Sequence, residues 1–313
     1  MKKIFVVIIG IVAISNGTFA QTKKTDWEKN GLKGTVKSVS ISHYKAIDKF
    51  GIIGKVEKLN TDTIEGVLFQ KYNNKGCKIE EIECRNYYSK GVIIKVHTYN
   101  YFDNKQNIIE RRVYNPDGSL NYHEIYKYDD NNNMVEANSY KADKLSIKVI
   151  LKYDTKNNLI EESEYNPDGS LYSKSFYQYD NKGNRIEKST YGANGDIESK
   201  NVFIYDNNNN LIGEKEENYY SKYKSSYEYS YIYDLKGNKI IEMYSSKYST
   251  RNYNTIKTYE YDEKNRLIEY CDGNDNIEFF KYDNQGNWIE KIKSKGKAKI
   301  PMTITERTIE YYE

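Results

Sequence analysis

Cysteine, histidine and proline are each present only three times in 313 residues, and these shortages exclude several kinds of chemistry. The histidines, His43, His97 and His123, stand at unrelated positions without a His-Glu-x-x-His spacing, so no local metal or general-base site is written in the chain. Paired-cysteine metal motifs, a Gly-x-Ser-x-Gly elbow and a phosphate-cradling glycine loop are also missing. Neither a cofactor nor a catalytic residue is therefore expected. Cys77 and Cys84 share one predicted strand, on opposite faces and roughly 23 Å apart when extended, so they cannot bridge each other. Pairing with Cys271 stays open, and isolated thiols packed as small apolar residues are the favoured reading. No excess of one charge exists either, with 48 Lys+Arg against 45 Asp+Glu. That balance offers no footprint for nucleic acid or an anionic membrane.

The one long apolar run, Ile4 to Ile14, follows Lys2-Lys3 and precedes Thr18-Phe19-Ala20. A basic start, a short apolar stretch and small residues at the cleavage positions predict a signal peptide over residues 1–20. The expectation is an exported chain, periplasmic or extracellular, without a transmembrane anchor after cleavage. No cysteine follows the cleavage site to carry a lipid.

What the chain does have is tyrosine, 34 of them, within a repeat. Alignment on an aromatic-Asp dipeptide gives nine units, at Tyr72, Phe102, Tyr128, Tyr153, Tyr179, Tyr205, Tyr233, Tyr261 and Tyr282, with Asn73 replacing the acid in the first. The acid can accept backbone N–H groups and start a turn. Four residues beyond the aromatic stands Gly or Asn in every unit but the second, where it is Gln106, which predicts positive φ there. Seven beyond it stands Ile or Val without exception, from Ile79 to Ile289, read as the core line of the second strand; the following Glu of most units is read as a solvent-facing ladder. Position minus two is aromatic in six units, so two rings share a face. Pro116-Asp117-Gly118 and Pro167-Asp168-Gly169 mark a second turn per unit, and Asp272 to Asn276 reads as a hairpin turn rather than a calcium loop.

Two hairpins per unit make an antiparallel meander of about eighteen strands, near 86 Å wide if flat, which must curl or spiral. Residues 21–65 read as N-terminal cap strands, 66–293 as the nine repeats, and 294–313 as a capping strand over the last edge.

Tyr177 to Glu187, Tyr-x-Tyr-Asp-x-x-Gly-Asn-x-Ile-Glu, together with Asn166-Pro167-Asp168-Gly169, resembles the YD repeat of Rhs proteins, teneurins and insecticidal toxin-complex proteins. Leu32-Lys33-Gly34, Gly286-Asn287-Trp288 and the closing Glu306 to Tyr312 are similar to the ends of small exported YD-repeat proteins of Bacteroidetes-type bacteria. In large relatives such repeats wind into a shell around a toxic domain. With far fewer repeats here, the resemblance implies an all-β, open, curved or spiralling sheet, a partial shell capped at both ends.

The family includes members associated with carbohydrate binding and with cell-surface recognition. The expected function is a non-catalytic binding or scaffold module for a glycan or an envelope or secreted protein. Ring area and amide donors suit sugars. Trp288, Tyr219, Tyr220, Tyr223 and Tyr227 are the candidate ligand contacts. The alternatives are a glycan-acting enzyme with its site in the irregular stretches near 214–230 and 244–255, or a neutraliser of a secreted toxin.

Overall fold

The computed structural model describes residues 24–60, 65–87, 92–219, 225–248 and 251–313; the predicted signal peptide lies outside the described residues. After a one-turn helix, α1 (Asp26–Lys29), come β1 (Val36–Lys49), β2 (Ile52–Lys58), β3 (Gly66–Tyr72) and eighteen further strands ending in β20 (Trp288–Lys295) and β21 (Ile300–Tyr311). From β3 onward each strand pairs antiparallel with the next, as the turn signals require.

The wall is not open. β1 pairs along one side with β21, from Val36 opposite Tyr311 to Lys45 opposite Thr303. Along its other side it pairs first with β3, Ser38 opposite Lys71, and then with β2. The first repeat strand, β3, and the C-terminal capping strand, β21, are thereby joined through β1 into a closed antiparallel barrel of 20 strands, with β2 as a hairpin extension of β1. The open, partial-shell expectation is wrong for a physical reason. Two capped edges would still leave ladder groups unpaired, whereas one strand shared between them satisfies both.

The seam also holds a buried apolar core of its own. Leu32, Val36, Val39 and Tyr72 form a buried cluster flanked by Trp27, Ile41, Ile309 and Tyr311. The Trp27 indole N–H donates to the Val36 carbonyl at 2.7 Å, and the Tyr312 hydroxyl donates to that of Tyr72 at 2.6 Å. Thr25 and Glu28 form a capping box, and the freed N–H groups of Asp26 and Trp27 both point at the Gly76 carbonyl in the first repeat's turn. Lys33 and Asn287 exchange two hydrogen bonds, at 2.7 and 2.8 Å, in the last. The segment from Thr25 to Thr35 therefore ties the first repeat to the last.

All nine predicted αL positions have positive φ, from Gly76 at 81° and Gln106 at 63° to Gly286 at 88°. The turn acid behaves as its chemistry demands: Asp154 Oδ1 accepts the N–H groups of Lys156 and Asn158, both at 2.8 Å. Asp272 likewise accepts from Asn274 at 2.8 Å and closes a hairpin turn. Cys271 is a free thiol, and the Cys77 thiol donates to Gln106 Oε1 at 3.3 Å.

The β-branched line, by contrast, is not the core. Every aromatic-Asp turn carries a register shift in which the aromatic pairs with the residue six beyond it, as in Tyr153 with Leu159 and Tyr205 with Leu211. The seventh residue is the bulged one. A bulge breaks strict alternation, so the seventh and eighth residues both turn outward. Ile109, Ile160, Ile212 and Ile268 are accordingly exposed, while Leu159 is buried. The more occluded face, bearing Tyr126, Val149, Leu151, Leu159 and Tyr177, is the concave inner one, where side chains converge. The Glu line lies outside as expected, bridged to lysines on neighbouring strands: Glu136 to Lys127 and Lys148, and Glu161 to Lys152 and Lys174.

The same register explains why the repeat aromatic is so often tyrosine. The hydroxyl of Tyr128 donates to the Ile108 carbonyl, Tyr153 to Met134, Tyr179 to Leu159, Tyr205 to Arg185, Tyr233 to Leu211, Tyr261 to Lys239 and Tyr282 to Leu267, at 2.7–3.1 Å. Each repeat is thus latched to the one before it. Phe102 has no hydroxyl, and Asn100 Nδ2 takes the equivalent Lys78 carbonyl at 2.8 Å. Tyr179→Phe should therefore cost about 1 kcal/mol by stranding the Leu159 carbonyl. Urea unfolding would measure it, and an unchanged midpoint would show that the latch contributes nothing.

Candidate functional site

Twenty strands at about 4.8 Å each give a circumference on the order of 96 Å, and barrels of comparable strand number enclose a lumen. The candidate site is the inner wall between β10 (Leu159–Tyr165) and β18 (Leu267–Cys271). It has two connected parts.

The first is a tyrosine platform. Along β15 (Ser225–Tyr233) the alternation Tyr227-x-Tyr229-x-Tyr231-x-Tyr233 puts four rings on the inner face. Tyr244 on β16 (Lys239–Tyr248) lies opposite Tyr229, and Tyr253 on β17 (Arg251–Tyr261) lies opposite Ser246. Ring centroids are 6.3 Å apart for Tyr227 and Tyr244, 5.0 Å for Tyr229 and Tyr244, 6.3 Å for Tyr244 and Tyr253, and 5.2 Å for Tyr259 and Tyr270. Tyr253, 51% exposed, brings the platform to solvent.

At the centre of the platform is Glu242. Its carboxylate accepts from Lys239 and Lys257, both at 2.6 Å, and from the Tyr259 hydroxyl at 3.2 Å. Burial pushes this carboxyl up, but the two ammonium groups outweigh it and hold it below the usual range. Burial raises the hydroxyls of Tyr229, Tyr231, Tyr259 and Tyr270, so all four remain protonated donors at neutral pH.

The second part is a polar cavity of about 260 Å³ on β10, β11 (Leu171–Tyr179), β12 (Arg185–Gly192) and β13 (Ile197–Tyr205), lined by Glu162, Glu164, Ser173, Ser175, Lys188 and Asn201 among others. Tyr177 donates to Glu162, and Ser173 donates to Glu164 at 3.2 Å. Burial, then the neighbouring Glu162, raises the Glu164 carboxyl. Glu216 on β14 (Leu211–Asn218) faces Asn201 on one side and Tyr227 on the other, so cavity and platform form one continuous surface.

Of the residues singled out in the sequence, Tyr227 lies on the platform. Tyr219 lies on the outer face, its hydroxyl donating to Glu217 at 2.5 Å. Trp288 faces inward beside the seam, edge-on to Phe280 at 6.3 Å and under the Arg307 guanidinium at 4.2 Å, and is part of the wall's packing. Tyr220 and Tyr223 lie outside the described residues. Tyr229, Tyr231, Tyr244, Tyr253, Tyr259, Tyr270 and Glu242 were not singled out, although the alternation in β15 carried the signal for the first two. Both irregular stretches supply platform residues.

No family profile matches the chain, and no curated protein resembles it in sequence. Among solved structures it is similar to TcdB2-TccC3-Cdc42, 13% identical over 77% of this chain and 16% of that one, TM-score 0.38. It is also similar to a porin-like protein from Bacteroides uniformis, 11% identical over 89% of this chain and 99% of that one, TM-score 0.37, and to one from Bacteroides vulgatus, 8% identical, covering 90% and 99%, TM-score 0.27. This chain thus spans 16% of the length of the TcdB2-TccC3 chain. The YD-repeat resemblance rests on the repeat residues themselves.

Proposed function

We propose that this chain is an exported, non-catalytic binding protein of the cell envelope that takes a glycan against the inner tyrosine wall. The observation that carries the reading is the platform of adjoining rings around Glu242. Sugar rings offer apolar C–H faces for tyrosine and hydroxyls for carboxylate and amide partners. The polar cavity next to the platform extends the surface over which hydroxyls can be matched.

Among the described residues no helix is long and apolar enough to cross a membrane, which says nothing of strands. The outer face bears on strands directly. It intersperses isoleucines with Glu–Lys pairs such as Lys152–Glu161–Lys174. A lipid-facing wall needs an apolar band, and Lys or Arg at its midplane costs about 2–4 kcal/mol each. An outer face of this kind favours water, and the lumen is then the natural place for a ligand.

A glycan array followed by calorimetry tests the reading. One oligosaccharide class should bind, and Tyr229→Ala with Tyr244→Ala should weaken it about tenfold, each ring contributing about 0.5–1.5 kcal/mol. Absence of any glycan ligand, or binding indifferent to both substitutions, would refute it.

A further inference from the structure

The hairpin formed by the end of β1 and β2 carries an unusual tip. Lys49 pairs with Ile52, leaving a two-residue loop, Phe50-Gly51, with φ of 56° and 83°. Positive φ at both central residues is the geometry for which Asn-Gly is suited, and a bulky aromatic there is an outlier. The same Phe50 is fully exposed, at 106% of its reference area, with Ile52 at 74% and Val56 at 63%, and Ile47 is exposed beside them. The chain thus holds a disfavoured residue in a disfavoured conformation with its ring in solvent. Strain and apolar exposure at one point suggest a surface that is covered in use.

The charge around the tip indicates what covers it. Lys45, Lys49, Lys55 and Lys58 flank the apolar residues, against Asp48 and Glu57. Asp48 turns its carboxylate onto the Gly51 N–H at 2.7 Å, while Lys45 pairs with Glu57 at 3.0 Å and Lys55 with Glu306 at 2.5 Å. Lys49 and Lys58 have no ion-pair partner among the described residues. An apolar tip inside a basic skirt matches the boundary between acyl chains and anionic headgroups. The near-neutral charge of the whole chain conceals this local excess. We infer that the β1–β2 hairpin docks the barrel on an anionic lipid surface, inserting Phe50 and Ile52 below the headgroups.

The test is co-sedimentation of the full barrel with vesicles of phosphatidylcholine alone and of phosphatidylcholine mixed with phosphatidylglycerol. Binding should require the anionic lipid. Phe50→Asn should weaken it about tenfold, the expected loss for one buried aromatic side chain. Because Asn suits the positive φ, the melting temperature of that variant should be unchanged or higher, which separates docking from folding. Failure of the native chain to bind the anionic vesicles would overturn the inference, as would equal binding by Phe50→Asn. A concentration-dependent dimer in sedimentation velocity that Phe50→Asn dissolves would overturn it in favour of a second copy as the occupant.

Discussion

Val39→Asp is expected to destabilise the barrel by about 4 kcal/mol or more, close to the whole stability of many domains. Val39 lies on the closing strand with no accessible surface, between Ile309 of β21 and Gln70 of β3. An aspartate there would be a buried charge without a partner, placed where the first and last repeats meet. The loss should reach beyond the seam, because an opened wall exposes two edges at once. Lys37→Ala, two residues away on the same strand and exposed, serves as the control and should change stability by no more than about 0.5 kcal/mol. Urea unfolding followed by circular dichroism reads both. Equal midpoints for the two variants would mean that β1 does not hold the ring together.

The second large effect contrasts two glycines with the same backbone. Gly76 and Gly237 occupy equivalent turns with φ of 81° and 82°. Asn holds that position in other repeats, at Asn132, Asn157, Asn209 and Asn265. Around Gly237 a Cβ would meet nothing within 4 Å, so Gly237→Asn should cost about 0.5 kcal/mol or less. At Gly76 the same atom would lie 2.7 Å from the Trp27 ring, which cannot move away without giving up its hydrogen bond to Val36. Gly76→Asn should therefore cost about 2–3 kcal/mol, from overpacking and a broken bond together. Trp27 is one of only two tryptophans, so a shift in intrinsic fluorescence should accompany the loss. Identical behaviour of the two variants would remove Trp27 from its assigned place over the first turn.

Features set by a few consecutive residues were legible in the sequence. The turn acids and αL positions could be read because an Asp, two intervening residues and a Gly or Asn fix the local backbone by themselves. Local spacing misled at the β-branched line, since strict alternation holds only for an unbroken ladder and each turn inserts one bulged residue. The tyrosine latches were hidden for another reason. Their acceptors are backbone carbonyls 15–22 residues away, which carry no side-chain signature.

Closure was the least visible feature, depending on Val36 finding Tyr311 and Ser38 finding Lys71. Seen alone, β1 is simply an alternating strand. The site was half legible in the same way: β15 announces its own ring face, but only the pairing of β14 through β18 shows that Glu216, Glu242 and Tyr244 join it. Trp288 stood out in sequence because its neighbours in the repeat are aliphatic or basic, and the structure places it at the seam beside Arg307.

The most direct test of the closed wall is a distance between spin labels at positions 71 and 310, the outward-facing partners of Ser38 on β3 and β21. Cys77, Cys84 and Cys271 would first be replaced by serine. With β1 alone between them, the two backbones should lie about 10 Å apart. An open or spiralling sheet would separate them by many tens of ångströms, and that result would contradict the barrel.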